Sequence, residues 1–600
     1  MTNEKLDIKS IAIIGAGPAG LSTLYEFLHT NKDGSSTITN YSKPLGHPKS
    51  EANAFDKIVV FEQKDSPGGI WSPATIESDL PIPPQEILDT ELYSDPKYIR
   101  PSNKVPAGID GASFDKPLIV GKEEEEGKEE EGKALIDELQ WSRSGIFPFL
   151  FTNIPQRFTR FSYLPDEAIY YDTKRKIYPF MTHQELTKRF DEFIEKENLL
   201  EYIRLNSTVE KVTKNHESGK WVVTIRQKGG SENAWYQETF DAVVIANGHY
   251  TVPYFPHIKG LAEYNKTHPG RLIHAKSFRN TQEFKDKDVL VIGGSISTVN
   301  ILQYIVPVAK SVTDSKRGKH LVFEFINDAL ISEGIEPKPP LEYIDPKTGE
   351  FYFADGSSGK YDKVVFSTGY HYHFPFLSED DEEEYLKLVN PGNLSRVGGL
   401  FHHTFSQKDA TLGTVGVCVS QLNFHTIEAS SAALAGVWSG AKKLPSIRDQ
   451  QEWETQQVGE RGDSLLFHYY NHHDARKFVD LLKPFFPRGR YDPLVKDGGY
   501  VEEVDVGGLY LKELFYGLKE GRIRVEETNW VNNNGDISSE APGGGASKEA
   551  TGGEAIGEAS REAIGGEASK EATGGDASRE AIGGDISREP IREAVAAVHA

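Results

Sequence analysis

Residues 15–20 read Gly-Ala-Gly-Pro-Ala-Gly, directly after the apolar run Ile11 to Ile14 and before a helix-like stretch, Leu21 to His29. In a strand, glycine turn, helix arrangement, Gly15 permits the tight turn and Gly17 lets a pyrophosphate approach the backbone. Gly20 lets the helix pack closely on the strand. The helix start offers unpaired N–H groups to phosphate oxygens. The alternative, a glycine-rich turn without a ligand, leaves the flanking pattern unexplained. Glu62 closes the run Ile58 to Phe61, where an acidic side chain holds ribose hydroxyls. Its distance from Gly20 is about twice the usual ~20 residues, because the polar segment Thr30 to Lys57 lengthens the connection. Gly68-Gly69-Ile70-Trp71 then reads either as a second glycine turn with an aromatic beside the nucleotide, or as a surface turn with a packing tryptophan.

The pattern recurs downstream. Val289 to Ile292 runs into Gly293-Gly294-Ser295-Ile296-Ser297 and a helix-like Thr298 to Val306. Ser295 stands at the second glycine position and Thr298 at the third, and a serine hydroxyl can itself bond phosphate. The next strand is expected to end near Val312, which puts Lys316 and Arg317 where a 2′-phosphate would sit and favours NADPH over NADH. The alternative is two solvated basic residues in a loop. Two further strand-to-glycine elements, Ala242 to Gly248 and Lys363 to Gly369, bracket this unit. They would close two sheets where the chain passes between domains, the second domain being inserted in the first.

These sites need a large scaffold, and 600 residues exceed the size at which one core keeps growing. The expected class is α/β with two Rossmann-like dinucleotide-binding domains. A first FAD-binding part covers 1–250, an NADPH-binding domain 251–369, a second FAD-binding part 370–533, and a low-complexity tail 534–600. In the tail a nine-residue unit of the form A-S-[KR]-E-A-[TI]-G-G-[ED] repeats from Ala546, Ala559, Ala568 and Ala577. Paired glycines and few large apolar groups predict disorder, with folding on an unknown partner as the functional alternative. Gly121 to Lys133, mostly glutamate, reads as a solvated insertion.

About 13 of the 23 net negative charges fall around Gly121 to Gln140 and from Asn534 onward, so the remainder is mildly acidic and lacks the basic stripe that nucleic-acid binding needs. No apolar run approaches the ~20 residues of a membrane span, and Ile11 to Ile14 is too short for a signal-peptide core. The expected location is therefore cytoplasmic. Cys418 is the single cysteine, so an internal disulfide, a cysteine-cluster zinc site and a Cys-x-x-Cys redox pair are all excluded.

The order of these motifs over about Ile11 to Leu434 resembles the flavin-containing monooxygenase family. The FAD turn is similar to GAGPAG here, the GGxW motif to Gly68 to Trp71, and the T-N motif to Thr152-Asn153. The ATG-type turn is similar to Ala246 to Tyr250, and F/Y-ATGY to Phe366 to Tyr370. The identifier FxGxxxHxxxY/F resembles His268 to His274, continuing to Phe278, with His268 in place of the initial aromatic. Some members that oxygenate sulfur look similar at GGSIS. From motifs and resemblance together, the expected flavin positions are Gly15, Gly17, Pro18, Ala19, Gly20, Glu62, Gln63, Gly69, Ile70, Trp71, Thr152, Val209, Asn247 and Gly248. The expected NADPH positions are Gly293, Ser295, Ser297, Lys316, Arg317, Thr368 and Gly369.

The resemblance implies that NADPH reduces FAD, reduced flavin captures dioxygen, and the flavin hydroperoxide gives one oxygen to a thiol, thioether or amine. It makes the Asn153 amide the candidate that holds the oxidant by hydrogen bonding, against the alternative of an asparagine that only bonds its loop backbone. Some members sit on the endoplasmic-reticulum surface, but the polar tail offers no anchor. His371 and His373 tempt a metal reading, yet the rest of a ligand set is missing, so no metal is expected. A pyridine-nucleotide disulfide reductase shares the two-nucleotide plan but needs a cysteine pair. Baeyer–Villiger and N-hydroxylating monooxygenases and an NADPH oxidase share it too. A flavin-binding scaffold is the alternative from another class.

Overall fold

The computed structural model describes residues 6–72, 82–102, 104–121, 143–166, 175–320, 323–377, 387–390 and 392–525. The glutamate-rich insertion and the repeat tail lie outside them. The chain opens with strand β1 (Ser10–Ile14), helix α1 (Pro18–Leu28) and strands β2 (Lys57–Phe61), β3 (Ile203–Arg204) and β4 (Ala242–Ile245). A second set follows: β5 (Leu272–His274), β6 (Asp288–Ile292), helix α2 (Ile296–Ile305), β7 (Ser311–Ser315), β8 (Glu336–Lys338) and β9 (Lys363–Phe366). Strands β10 (Leu400–Phe401), β11 (Phe405–Ser406) and β12 (Leu412–Thr414) then rejoin the first set, before helices α3 (Asn423–Trp438) and α4 (Glu502–Lys519).

Seven strands form one sheet in the order β10-β11-β12-β4-β1-β2-β3, and five form another in the order β8-β7-β6-β9-β5. The expected α/β class with two Rossmann-like sheets is thus the one observed. β1 lies parallel between β2 and β4, with Ile13 opposite both Val60 and Val244. β6 lies parallel between β7 and β9, with Val291 opposite Asp314 and Val365.

Alternation decides the faces. Ile11, Ile13, Val60 and Val244 pack in one core with α1 and α3, while Ala12, Ile14, Val59, Phe61, Val243 and Ile245 join another. That second core includes Val209, Val212, Trp221 and Phe240, from an antiparallel meander of Ser207–Asn215, Lys220–Gln227 and Glu232–Phe240 edged by Leu118–Gly121. Central parallel strands covered on both faces read as continuous apolar runs, which is how β1, β2, β4 and β6 read. Helix α1 is buried from Ala19 to Leu28, polar Ser22, Thr23 and Glu26 included, because α3 covers the side the sheet does not.

Three boundaries differ from the sequence expectation. α1 starts at Pro18 instead of Leu21 and α2 at Ile296 instead of Thr298, so both helices begin inside their glycine turns. Proline suits the first helical turn because its missing N–H would find no partner there. β7 runs on to Ser315, three residues past Val312. Pairing with β6 continues to Ile292, and Ser315 also pairs with Lys338 of β8.

Candidate active site

The two glycine turns are built alike. At the first, Gly15 N donates to Phe61 O (2.8 Å) and Ala246 N to Ile14 O (3.0 Å). At the second, Gly293 N donates to Ser315 O (2.9 Å) and Ser367 N to Ile292 O (2.8 Å). A Cβ on Gly15 would lie 2.7 Å from Ala246 O, and one on Gly293 would lie 2.3 Å from Ser367 O. Both have positive φ, 99° and 152°. Glycine is therefore demanded by the protein's own backbone at the first position of each turn. A Cβ on Gly20 would lie 1.9 Å from Gly15 O, which is the close helix approach expected of a third glycine. Gly17 differs: nothing in the protein comes nearer than 3.5 Å to its would-be Cβ, and the residue borders a cavity that a side chain would fill.

That cavity measures about 460 Å³. Gly15, Gly17, Pro18 and Ala19 border it, as do Glu62, Gln63, Gly69, Ile70 and Trp71. Thr152, Asn153, Val209, Asn247 and Gly248 complete the expected flavin set around the same space, with Gly20 buried behind the turn. The second turn stands apart. Gly293, Ser295, Ser297, Lys316, Arg317, Thr368 and Gly369 do not border this cavity, whereas their neighbours Ile296 and Phe323 do. A cavity that starts at one dinucleotide-type turn and reaches the other suits a flavin nucleotide whose reactive ring must meet a nicotinamide.

Several of these side chains are already committed within the protein. The buried Glu62 carboxylate accepts from Ala16 N (2.8 Å) and Lys64 N (3.0 Å), pinning the turn to the end of β2. Burial raises its pKa, while Lys64 and the two N–H groups pull it back. The Thr152 hydroxyl donates to Ile154 O (3.0 Å) and accepts from Met181 N (3.1 Å), so Thr152 shapes the segment and leaves the Asn153 amide beside the cavity. The Asn247 amide donates to His373 O (2.9 Å), and His373 Nε2 donates to Arg100 O (2.7 Å). The Thr368 hydroxyl donates to Tyr254 O. His274 of the identifier motif is buried, its Nδ1 accepts from Lys276 N (3.0 Å), and burial drops its pKa to about 3; it acts as a neutral structural residue.

Sequence reasoning missed Lys64, Arg100 and Arg143, which also border the cavity. Lys64 Nζ donates to Gly69 O (2.9 Å) and ties the Gly69–Trp71 turn to the end of β2. The two arginines come from the long stretch between Trp71 and Thr152, which carries no motif. Asp314 was also missed. It occupies the penultimate position of β7, where an acidic residue would invite a ribose, but it is fully buried on the sheet face of Val312, with no hydrogen-bond partner for either oxygen. Burial pushes its pKa up to about 8, against a pull from Lys316.

The folded protein thus keeps Asp314 protonated at neutral pH while the unfolded chain ionises it near pH 4. Folding stability contributed by this group is present in acid and lost as pH rises toward 8. Asp314→Asn is expected to remove that decline: thermal melts between pH 5 and pH 8.5 should fall by a few kcal/mol less than for wild type, and an unchanged slope would show that Asp314 ionises normally. Cys418 is buried and its thiol is pushed well above its usual range, so it is a packing residue.

Two similarly built glycine turns, each with a parallel sheet behind it, therefore stand at either end of a cavity that starts at the first turn and reaches Ile296 beside the second. Residues 137–332 match the family described as flavin-binding monooxygenase-like. A flavin-containing monooxygenase of Arabidopsis thaliana, FMO GS-OX-like 9, is 28% identical over 483 residues, covering 78% of this chain and 84% of that protein. The trimethylamine monooxygenase of Methylocella silvestris is 26% identical over 444 residues, covering 74% and 76%. Among solved structures, the S-allyl-L-cysteine S-oxygenase from Allium sativum superposes with a TM-score of 0.57 at 22% identity, over 88% of this chain and 97% of that one. By these matches the chain is similar to the flavin-containing monooxygenases. These similarities support an oxidoreductase enzyme that uses a flavin. Among the described residues no helix is long and apolar enough to cross a membrane.

Proposed function

We propose that the protein is an NADPH-dependent monooxygenase with FAD over the first turn and NADPH over the second, transferring one oxygen atom of dioxygen to a small thiol, thioether or amine. The observation that carries this reading is the pair of similarly built turns, with a cavity that starts at the first, takes in Asn153 and reaches Ile296 beside the second. The reaction balances as substrate, O₂, NADPH and H⁺ giving oxygenated substrate, NADP⁺ and water. Bound flavin would supply the two-electron relay between nicotinamide and dioxygen.

The chain's own residues bind and orient. Gly15, Gly17 and the start of α1 present backbone N–H groups to the FAD pyrophosphate. Glu62 has lone pairs left for ribose hydroxyls beyond its two backbone contacts. The Asn153 amide, at the cavity wall, would donate a hydrogen bond to the oxygen being transferred, and Trp71, Ile70 and Ile154 line the same cavity with apolar groups that would disfavour water there. No protein nucleophile or general acid is required. The names of the relatives, an S-oxygenase and a trimethylamine monooxygenase, make a thioether and a tertiary amine the first probes.

The test is NADPH oxidation by FAD-loaded protein in air, with cysteamine, a thioether and trimethylamine in turn, and with hydrogen peroxide quantified. A substrate that accelerates NADPH loss and lowers peroxide supports the reading. Peroxide equal to NADPH under every condition would make the protein an oxidase. Asn153→Ala is expected to keep oxidising NADPH while oxygenated product falls about 100-fold and peroxide rises to match; tight coupling in that variant would remove Asn153 from the mechanism.

A further inference from the structure

Beyond β7 the chain folds back across the second glycine turn. Lys316 packs beside Gly294, whose would-be Cβ lies 3.2 Å from the Lys316 Cβ, and four residues on the His320 ring reaches Ser295, with Nε2 3.1 Å from Oγ. This contact is anchored from behind. His320 N donates to Asn327 Oδ1 (2.8 Å), Asn327 Nδ2 donates back to His320 O (2.9 Å), and the ring lies nearly parallel to Phe323 at 17°.

The anchoring also fixes the proton. Phe323 N donates to His320 Nδ1 (3.1 Å), which requires a lone pair at Nδ1. A neutral imidazole with a lone pair at Nδ1 carries its hydrogen at Nε2. Nε2–H must therefore donate to Ser295 Oγ, and the serine's own O–H remains to be given elsewhere. It is not spent on the helix, because Ser295 is the N-cap of α2 and makes no side-chain cap bond. Burial keeps the ring neutral, with its pKa drawn down to about 4.

We propose that His320 is a positioning residue for the nicotinamide nucleotide: it accepts no ligand itself, but orients the Ser295 hydroxyl so that its hydrogen points at a phosphate oxygen. The inference rests on the second turn's being the NADPH site. It gives a physical reason for serine at a position where glycine is usual: a hydroxyl with its oxygen already satisfied is a directed donor to an anion. A bare glycine would leave the phosphate to backbone N–H groups alone.

The experiment is calorimetric titration of the flavin-loaded full chain with NADP⁺ and, separately, NAD⁺, in wild type, H320A, H320Q, S295G and the S295G/H320A double variant, with melting temperatures as a folding control. H320A is expected to weaken NADP⁺ binding about tenfold without lowering the melting temperature, and H320Q, which retains an N–H donor, to recover most of it. S295G should lose a similar amount, and adding H320A to S295G should cost nothing further, because the two act through one hydrogen bond. Equal losses toward NAD⁺ place the contact on the pyrophosphate; losses confined to NADP⁺ place it on the 2′-phosphate. The proposal is overturned if H320A is neutral, or if it costs the same with glycine at 295. Absence of any NADP⁺ binding by the wild type sinks the NADPH reading itself.

Discussion

Gly15→Val should purify without flavin. The residue sits at φ +99°, and its Cβ would press on Ala246 O at 2.7 Å and Ala246 C at 3.1 Å. Neither side can retreat, since Gly15 N is bonded to Phe61 O and Ala246 N to Ile14 O across the centre of the sheet. Relief must come from the turn itself, whose N–H groups and helix start would then face away from the pyrophosphate. A positive-φ penalty of ~1–3 kcal/mol plus the clash corresponds to at least about 100-fold weaker flavin binding. Absorbance of flavin per mole of purified protein, followed by FAD titration, measures this. Gly293→Val is the internal control, because it repeats the same clash against Ser367 O in the other sheet. It should retain flavin and lose nicotinamide nucleotide binding. A G15V protein that retains flavin at one per chain would move the flavin site elsewhere.

The second large effect lies away from the cavity. Arg490 bonds Glu26 of α1 at 2.8 Å and also reaches Glu428 of α3, all three side chains fully buried. Glu428 in turn accepts from Ser162 N (2.7 Å), so the triad joins both helices to the turn segment that follows Asn153. Two carboxylates share one guanidinium, and burial raises the Glu26 pKa to about 7 in spite of Arg490. Arg490→Met is expected to cost about 3–5 kcal/mol in urea unfolding, because it strands buried acidic groups without a counter-charge. Adding Glu26→Gln and Glu428→Gln should return part of that loss by removing the uncompensated charge. Should the triple variant be no better than R490M, packing of the arginine stem outweighs its charge.

Glu26 itself gives the sign of the pH response. A folded pKa raised above the unfolded one stabilises the fold in acid, and that stability is lost as pH climbs from about 4.5 through 7. It adds to the decline from Asp314, so D314N should reduce the slope between about pH 4.5 and 7, where Glu26 still contributes, and flatten the profile between about 7 and 8.

What short windows of sequence determined is the local backbone. Ile11 to Ile14 and Val289 to Ile292 are apolar on both faces and end in glycines, so they had to be central parallel strands entering tight turns, and the α/β class follows from two such units. The lone Cys418 removed a whole redox chemistry before any fold was known. The tertiary structure decided everything that depends on residues meeting across the chain. Glu428 and Ser162 are 266 positions apart and Arg490 and Glu26 are 464 apart, so no local pattern pairs them.

Asp314 reads in sequence as an ordinary polar residue near the end of a strand. Only the register that sets it opposite Val291 shows that it faces the core. His320 lies in a polar, glycine-containing stretch, and its meeting with Ser295 depends on how the chain turns after β7. The physical division is between terms fixed within a few residues, such as φ preference and apolar alternation, and terms fixed by burial and partners. Desolvation, ion pairing and tautomer choice exist only once the chain has closed on itself.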